Sequence, residues 1–178
     1  MNQTSKKPLF LCGMMGTGKS LIGKHIARKL NLPFTDLDSE IESKTGKTIP
    51  QIFEEIGESG FREIERETLI SYLNHPEGVL ALGGGSLQNQ ELVDLIKNSG
   101  ILIYIDTPED ILLSRLKNSK RRPMINGLET DELKKMIENL LEERKPFYYQ
   151  ANLIISGAAK SYEITTNLIL KELKIADD

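Results

Sequence analysis

The octapeptide GMMGTGKS, Gly13 to Ser20, has the spacing G-x-x-x-x-G-K-S. Backbone amides at Gly13, Gly16 and Gly18, with no side chains in the way, can converge on phosphate oxygens. Lys19 then offers a point charge to the β- and γ-phosphates, and Ser20 a hydroxyl to Mg²⁺. Met14, Met15 and Thr17 complete the loop, the methionines as filling with no chemistry of their own. The bland alternative is a glycine-rich turn with a chance GKS. It leaves unexplained the strand-like run before the motif and the helical periodicity after it. The motif is shared by ATPases, GTPases and kinases. No N-K-x-D segment follows ILIYID, which removes the usual guanine-reading signature. LALGGG also ends without the aspartate that commonly helps hold the metal. The nearest acidic supply is Asp36 and Asp38 in TDLD. Two residues apart on an extended strand, they would face the same way into the crevice at its carboxyl end. One would orient a magnesium-bound water and the other an acceptor hydroxyl. Without the phosphate loop, the simpler reading is that Asp38 caps the next helix and Asp36 is a surface turn residue.

Such a loop needs a strand before it and a helix after it, and both are legible. PLFLC at 8–12 is a short buried strand. From Lys19 to Leu30, apolar residues fall at 21, 22, 26, 27 and 30, a helical period. LPFTDLD predicts a second strand, and Ser39 to Lys44 a short helix capped by Asp38. One helix begins near Pro50 and a longer one covers Glu58 to Leu73. GVLAL at 78–82 is strand-like and runs into GGGS, where Ser86 is a candidate cap for a helix over roughly 88–98. ILIYID at 101–106 is a buried strand, and Pro108 opens a helix through Leu116. KNSKRRPMINGLE is polar, basic and broken by proline and glycine, hence a loop. Residues 129–145 read as helix, NLIISG as the last strand and 161–173 as the closing helix. Five strands alternating with helices predict an α/β fold, a mostly parallel sheet covered on both faces.

Bulk properties narrow the partners. The 178 residues suit one domain. With 23 basic and 26 acidic residues the formal net charge is -3. That balance points away from nucleic acid and from an anionic membrane surface as the main partner. The single cysteine, Cys12, reads as a small buried residue, and His25 and His75 lack metal-ligand spacing. No long apolar run marks a membrane span or a leader, so a cytoplasmic protein is expected.

Taken in order, the motifs resemble those of the shikimate kinase family, within the nucleoside-monophosphate-kinase-like P-loop group. GMMGTGKS looks like its phosphate loop and FTDLD like the segment after its second strand. IFEEIGESGFREIE is similar to its substrate-binding segment, and LALGGG to its central glycine motif. RLKNSKRRPM resembles its adenine-side arginine and lid, and LLEERKPFYYQAN its later substrate-binding stretch. The resemblance spans nearly the whole chain. It implies a P-loop kinase fold over 1–178 with a mobile lid at 117–128, acting as a monomer. The implied reaction is transfer of the γ-phosphoryl of ATP to the 3-hydroxyl of shikimate, with Mg²⁺ as cofactor. By the same resemblance Asp36 assists the metal, and Asp38 holds hydroxyls of shikimate and receives the proton. Arg62 and Arg144 bind its carboxylate, with Glu65 supporting the arginines. Phe53 and Phe61 shape the apolar wall, and Gly83, Gly84 and Gly85 admit close approach of the main chain. Arg115 packs near adenine, and Arg122 is the lid arginine that reaches the transferring phosphate.

The residues themselves support these roles less strongly. A guanidinium fork fits a carboxylate. Yet Arg62 stands among Glu58, Glu63, Glu65, Arg66 and Glu67, and Arg144 follows two glutamates, so surface ion pairs are the bland expectation for both. Three glycines could equally form a flexible turn. The sequence departs from the family pattern at Gln150, usually acidic, and at Asn152, often alanine. A gluconate-kinase-like enzyme and a non-catalytic nucleotide-binding module remain rivals. Neither accounts for GFREIE and LEERKPFYY together.

Overall fold

The computed structural model describes residues 7–117, 125, 127–157 and 161–174. Arg122 and most of the expected lid lie outside them. Among the described residues, β1 (Leu9–Cys12), β2 (Phe34–Asp36), β3 (Val79–Ala81), β4 (Ile101–Asp106) and β5 (Leu153–Ser156) form one sheet in the order β2-β3-β1-β4-β5. All four pairings are parallel. The helices are α1 (Lys19–Leu30), α2 (Leu37–Thr45), α3 (Ile49–Leu73), α4 (Gln90–Ser99), α5 (Glu109–Leu116), α6 (Thr130–Tyr148) and α7 (Tyr162–Glu172).

Strand alternation sorts the core into two layers. Phe10 and Cys12 of β1 and Leu102 and Tyr104 of β4 enter one cluster, with Phe61 and Leu69 of α3 and Leu141 and Tyr148 of α6. Leu9, Leu11, Ile103 and Ile105 point to the other face, against Ile22 and Ile26 of α1 and Ile169 and Leu170 of α7. Because both faces are covered, the strands read as continuous apolar runs rather than alternating ones.

Several boundaries have local causes that differ from expectation. β2 stops at Asp36, and it is Asp36, not Asp38, that caps α2, accepting from Ser39 N at 3.2 Å. Asp38 therefore sits in the first helical turn, and the pair does not share one face of a strand. α3 opens with a Thr48–Gln51 capping box and Pro50 in its first turn. Gly57, at φ 71° and ψ −176°, breaks it into the two helical parts that the sequence predicts. α4 is capped by Asn89 rather than Ser86. α6 runs past the expected end, through Pro146 to Tyr148. Asn152 has a structural reason to depart from alanine. Its amide donates to Leu102 O and its side chain accepts from Leu102 N, which adds a rung between β4 and the start of β5.

Cys12 ends β1 with no exposed surface. Burial pushes its thiol up from 9.0 to about 12, against a lowering influence from Lys19. Alkylation at pH 8 should therefore spare Cys12 in the native protein and proceed after denaturation. The sign of the linkage follows: above pH 9 the unfolded chain loses this proton first, so stability falls as pH rises from 9.0 toward 12. Alkylation of the native thiol at the unfolded rate would contradict this burial.

Candidate active site

The phosphate loop links β1 to α1. Gly18, the residue before α1, is left-handed at φ 91° and ψ 20°, and no side chain caps the helix. The positive end of α1 is thereby open to an anion. Gly13 passes so close beneath β4 that a Cβ there would lie 2.7 Å from Ile105 O. Lys19, on the first turn of α1, is buried and donates to Gly13 O at 2.8 Å and Met14 O at 3.0 Å. The loop thus folds around its own lysine. Next to it, the Ser20 hydroxyl donates to Asp36 Oδ2, which joins the start of α1 to the end of β2. On the far side, Arg115 of α5 donates to Gly16 O at 3.0 Å. It lines a cleft with Gly16, Thr17, Gly18, Leu21 and Tyr162.

A second cavity, of about 290 Å³, opens beside the loop at the carboxyl ends of β2 and β3. Met15, Ser20, Asp36, Asp38, Phe53, Phe61, Arg62, Glu65, the three glycines and Arg144 all line it. One wall is apolar: the Phe53 and Phe61 rings lie 4.7 Å apart, tilted by 36°. Asp38, although displaced into α2, reaches the same cavity.

Glu65 organises the opposite wall. It is 1% exposed, and its carboxylate accepts from Arg62 Nη1 at 2.7 Å, from Ser86 Oγ at 2.7 Å and from Gln88 Nε2 at 3.3 Å. Ser86, expected as a cap, is instead a buried partner of this carboxylate. Arg62 also meets Glu58, 3.2 Å away, so the ion pairs foreseen on this helix exist, yet the same arginine lines the cavity.

Arg144 contradicts the surface reading. It is 6% exposed and donates to Gly84 O at 3.0 Å, with Met14 Sδ at 3.6 Å. Tyr148, one turn later on α6, donates to the same Gly84 carbonyl. Burial, offset in part by Arg144, pushes the Tyr148 phenol well above its ordinary range. No carboxylate lies within 4.0 Å of Arg144 among the described residues.

The glycine triplet has an immediate reason within the protein. A Cβ on Gly83 would lie 2.3 Å from Glu65 Oε1 and 3.2 Å from Asp38 Oδ1, and one on Gly85 would lie 2.6 Å from Arg62 Nη2. The triplet lets Glu65, Arg62 and Asp38 crowd against the end of β3. Gly83→Ala should therefore displace Glu65, loosen Arg62 and cost about 1–3 kcal/mol of stability. Thermal denaturation reads the loss, and unchanged stability would refute the close approach. The sequence suggested a cap for Ser86 and no role for Gln88 or Tyr148; the available signals were the polar residues after LALGGG and the aromatic pair in LEERKPFYY. At Gln150, the amide exchanges hydrogen bonds with Gln90 at 2.8 and 3.0 Å and donates to Pro146 O.

A parallel β2-β3-β1-β4-β5 sheet, a phosphate loop between its central strand and α1, and a cavity beside that loop define a P-loop kinase of the nucleoside-monophosphate-kinase-like group. Within that class, the family model for shikimate kinase matches residues 15–174. The chain belongs to the shikimate kinase family. Shikimate kinase of Shewanella denitrificans is 40% identical over 170 residues, covering 94% of this chain and 97% of that protein. The crystal structure of shikimate kinase from Bacteroides thetaiotaomicron superposes with a TM-score of 0.87 at 36% identity, covering 95% of this chain and 99% of the other. The enzyme from Acinetobacter baumannii, solved in complex with shikimate, gives 0.84 at 36% identity, covering 96% and 94%.

Proposed function

We infer that the chain transfers the γ-phosphoryl group of ATP to the 3-hydroxyl of shikimate, giving shikimate 3-phosphate and ADP. The observation that carries this reading is Arg144. It is a buried cation with no carboxylate beside it among the described residues, and it faces the same cavity as Arg62. A buried charge is costly unless matched, so the end of the cavity at Arg144 and Arg62 suits an anion. The polyol side of such a ligand meets Asp38 and the main chain at Gly83 and Gly84, and its ring meets Phe53 and Phe61.

Phosphoryl transfer forms a bond from the acceptor oxygen to the γ-phosphorus and breaks the bond to the β-γ bridging oxygen, which leaves with ADP. Lys19 and the amides of residues 13–20 hold the phosphates and take up the developing charge. Asp38 orients the hydroxyl and accepts its proton. The Ser20 hydroxyl and Asp36 carboxylate, already hydrogen-bonded to each other, are hard oxygen donors suited to Mg²⁺. When bound there, Mg²⁺ neutralises charge on the β- and γ-phosphates. Arg115, held on Gly16 O, would pack near the adenine, and the 117–128 segment with Arg122 is assigned to the lid from sequence alone. Shielding from water favours the alcohol over hydrolysis. No helix among the described residues is long and apolar enough to cross a membrane. A monomeric cytoplasmic enzyme is the simplest setting for this chemistry.

The test is the purified protein with magnesium-ATP and a panel of acceptors including shikimate, quinate and gluconate. ADP release and product phosphate should appear with shikimate and at no more than a trace with gluconate. Preferred phosphorylation of gluconate, or ATP turnover indifferent to acceptor, would sink the reading.

A further inference from the structure

Arg62 stands between two cavities. The inner one is the acceptor site. The outer one, of about 590 Å³, is walled by Glu58, Leu87 and Phe147 and shares Arg62, Gly85 and Arg144 with the inner one. Two carboxylates approach this guanidinium in different ways. Glu65 is buried, bonds to Nη1 at 2.7 Å and is itself held by Ser86 and Gln88. Glu58 lines only the outer cavity. Its side chain is 54% exposed, and it meets Nη2 at 3.2 Å from the residue that follows the helix break at Gly57. Orientation of Arg62 is therefore already supplied by Glu65, with Gly85 packed over the guanidinium. Glu58 adds a longer hydrogen bond to the other nitrogen, from an exposed side chain.

We propose that Glu58 is an opposing counter-ion, drawing on the charge of Arg62 from the outer cavity and so weakening capture of an anionic acceptor in the inner one. The proposal rests on the reading of Arg62 as a carboxylate ligand. Asp36, Asp38 and Glu42 also line the inner cavity and Glu143 the outer one, so the arginines that meet an incoming anion already face an excess of carboxylates. Of these carboxylates, Glu58 and Glu65 are the two that pair with Arg62 directly, and loss of Glu58 removes one of the two. Burial disfavours the charge on Arg62, yet Glu65 and then Glu58 hold its pKa above the ordinary guanidinium value. A carboxylate ligand must share Arg62 with both and is repelled by both. Glu65 cannot be spared, because it positions the arginine. Glu58 can, and it sets how tightly the acid is held and how fast it leaves.

The sign of the effect tests the idea, since loss of a positioning or packing residue would weaken binding. Calorimetry of shikimate with Glu58→Gln should give a Kd lower by about threefold to tenfold than the native protein, with slower dissociation and ATP affinity unchanged. A neutral ester of shikimate should bind native protein and Glu58→Gln alike. Glu63→Gln, an exposed charge on the same helix, controls for the general field and should change little. Equal or weaker shikimate binding by Glu58→Gln would overturn the proposal, as would equal tightening by Glu63→Gln. Native protein that binds no shikimate would overturn the functional reading and this proposal with it. Native binding with an unresponsive Glu58→Gln would remove only the role of Glu58.

Discussion

Lys19→Ala should lower kcat for phosphoryl transfer by about 10²–10³-fold, the cost typical of removing one donor aimed at developing charge. The lysine is placed for this by three features at once. It opens α1, it is buried, and its ammonium lies on the carbonyls of Gly13 and Met14, at the centre of the loop. A ligand phosphate arriving inside that loop meets a charge already in position, so little reorganisation accompanies the reaction. ATP affinity should fall less than kcat, because loop amides and the helix end still hold the phosphates. Shikimate binding should be nearly unchanged, since Lys19 does not line the acceptor cavity. Steady-state kinetics with separate calorimetry for each ligand tests all three statements. Near-normal turnover in the variant would remove Lys19 from the mechanism.

Arg144→Met should separate function from stability. Truncating one partner of a buried charge pair typically costs 2–5 kcal/mol of binding, so the shikimate Kd should rise by at least about 30-fold. ATP affinity should move far less. The melting temperature should nevertheless hold or rise. The native cation is buried without a neighbouring carboxylate among the described residues, and an apolar chain of similar length relieves that desolvation. Gly84 O loses one donor but keeps Tyr148, so no carbonyl is orphaned. Arg144→Lys should fall between, since it keeps the charge and loses the fork. A marked drop in melting temperature with shikimate binding intact would make Arg144 a structural residue.

The phosphate loop and its flanks were legible because their causes are local. Glycine spacing, a short apolar run and a helical period lie within about 20 consecutive residues, and α1 and β4 fall on the expected bounds. The acidic pair was legible in identity but not in geometry. Asp36 ends β2 because its side chain caps α2, and this capping competition, undecided by the string TDLD, moves Asp38 onto the helix. Ser86 was misread for a related reason. A serine before a helix resembles a cap, yet Asn89 caps α4 and Ser86 instead serves a carboxylate on another element.

The order of the elements, the position of the phosphate loop and, through the ordered set of motifs, the family are all carried by neighbouring residues and could be read along the chain. Which side chains are buried together follows from the fold. Ser86 meets Glu65 across 21 positions, Arg144 meets Gly84 across 60, and Arg115 meets Gly16 across 99. Each contact spans crossovers of a parallel sheet whose spatial order, β2-β3-β1-β4-β5, differs from its chain order. Those crossovers bring the carboxyl ends of distant strands to one edge. They turn Arg144, which in LEERK looks like a solvated helix charge, into a buried cation facing a cavity. Burial depends on what packs against a residue from elsewhere in the chain, and no local spacing encodes it.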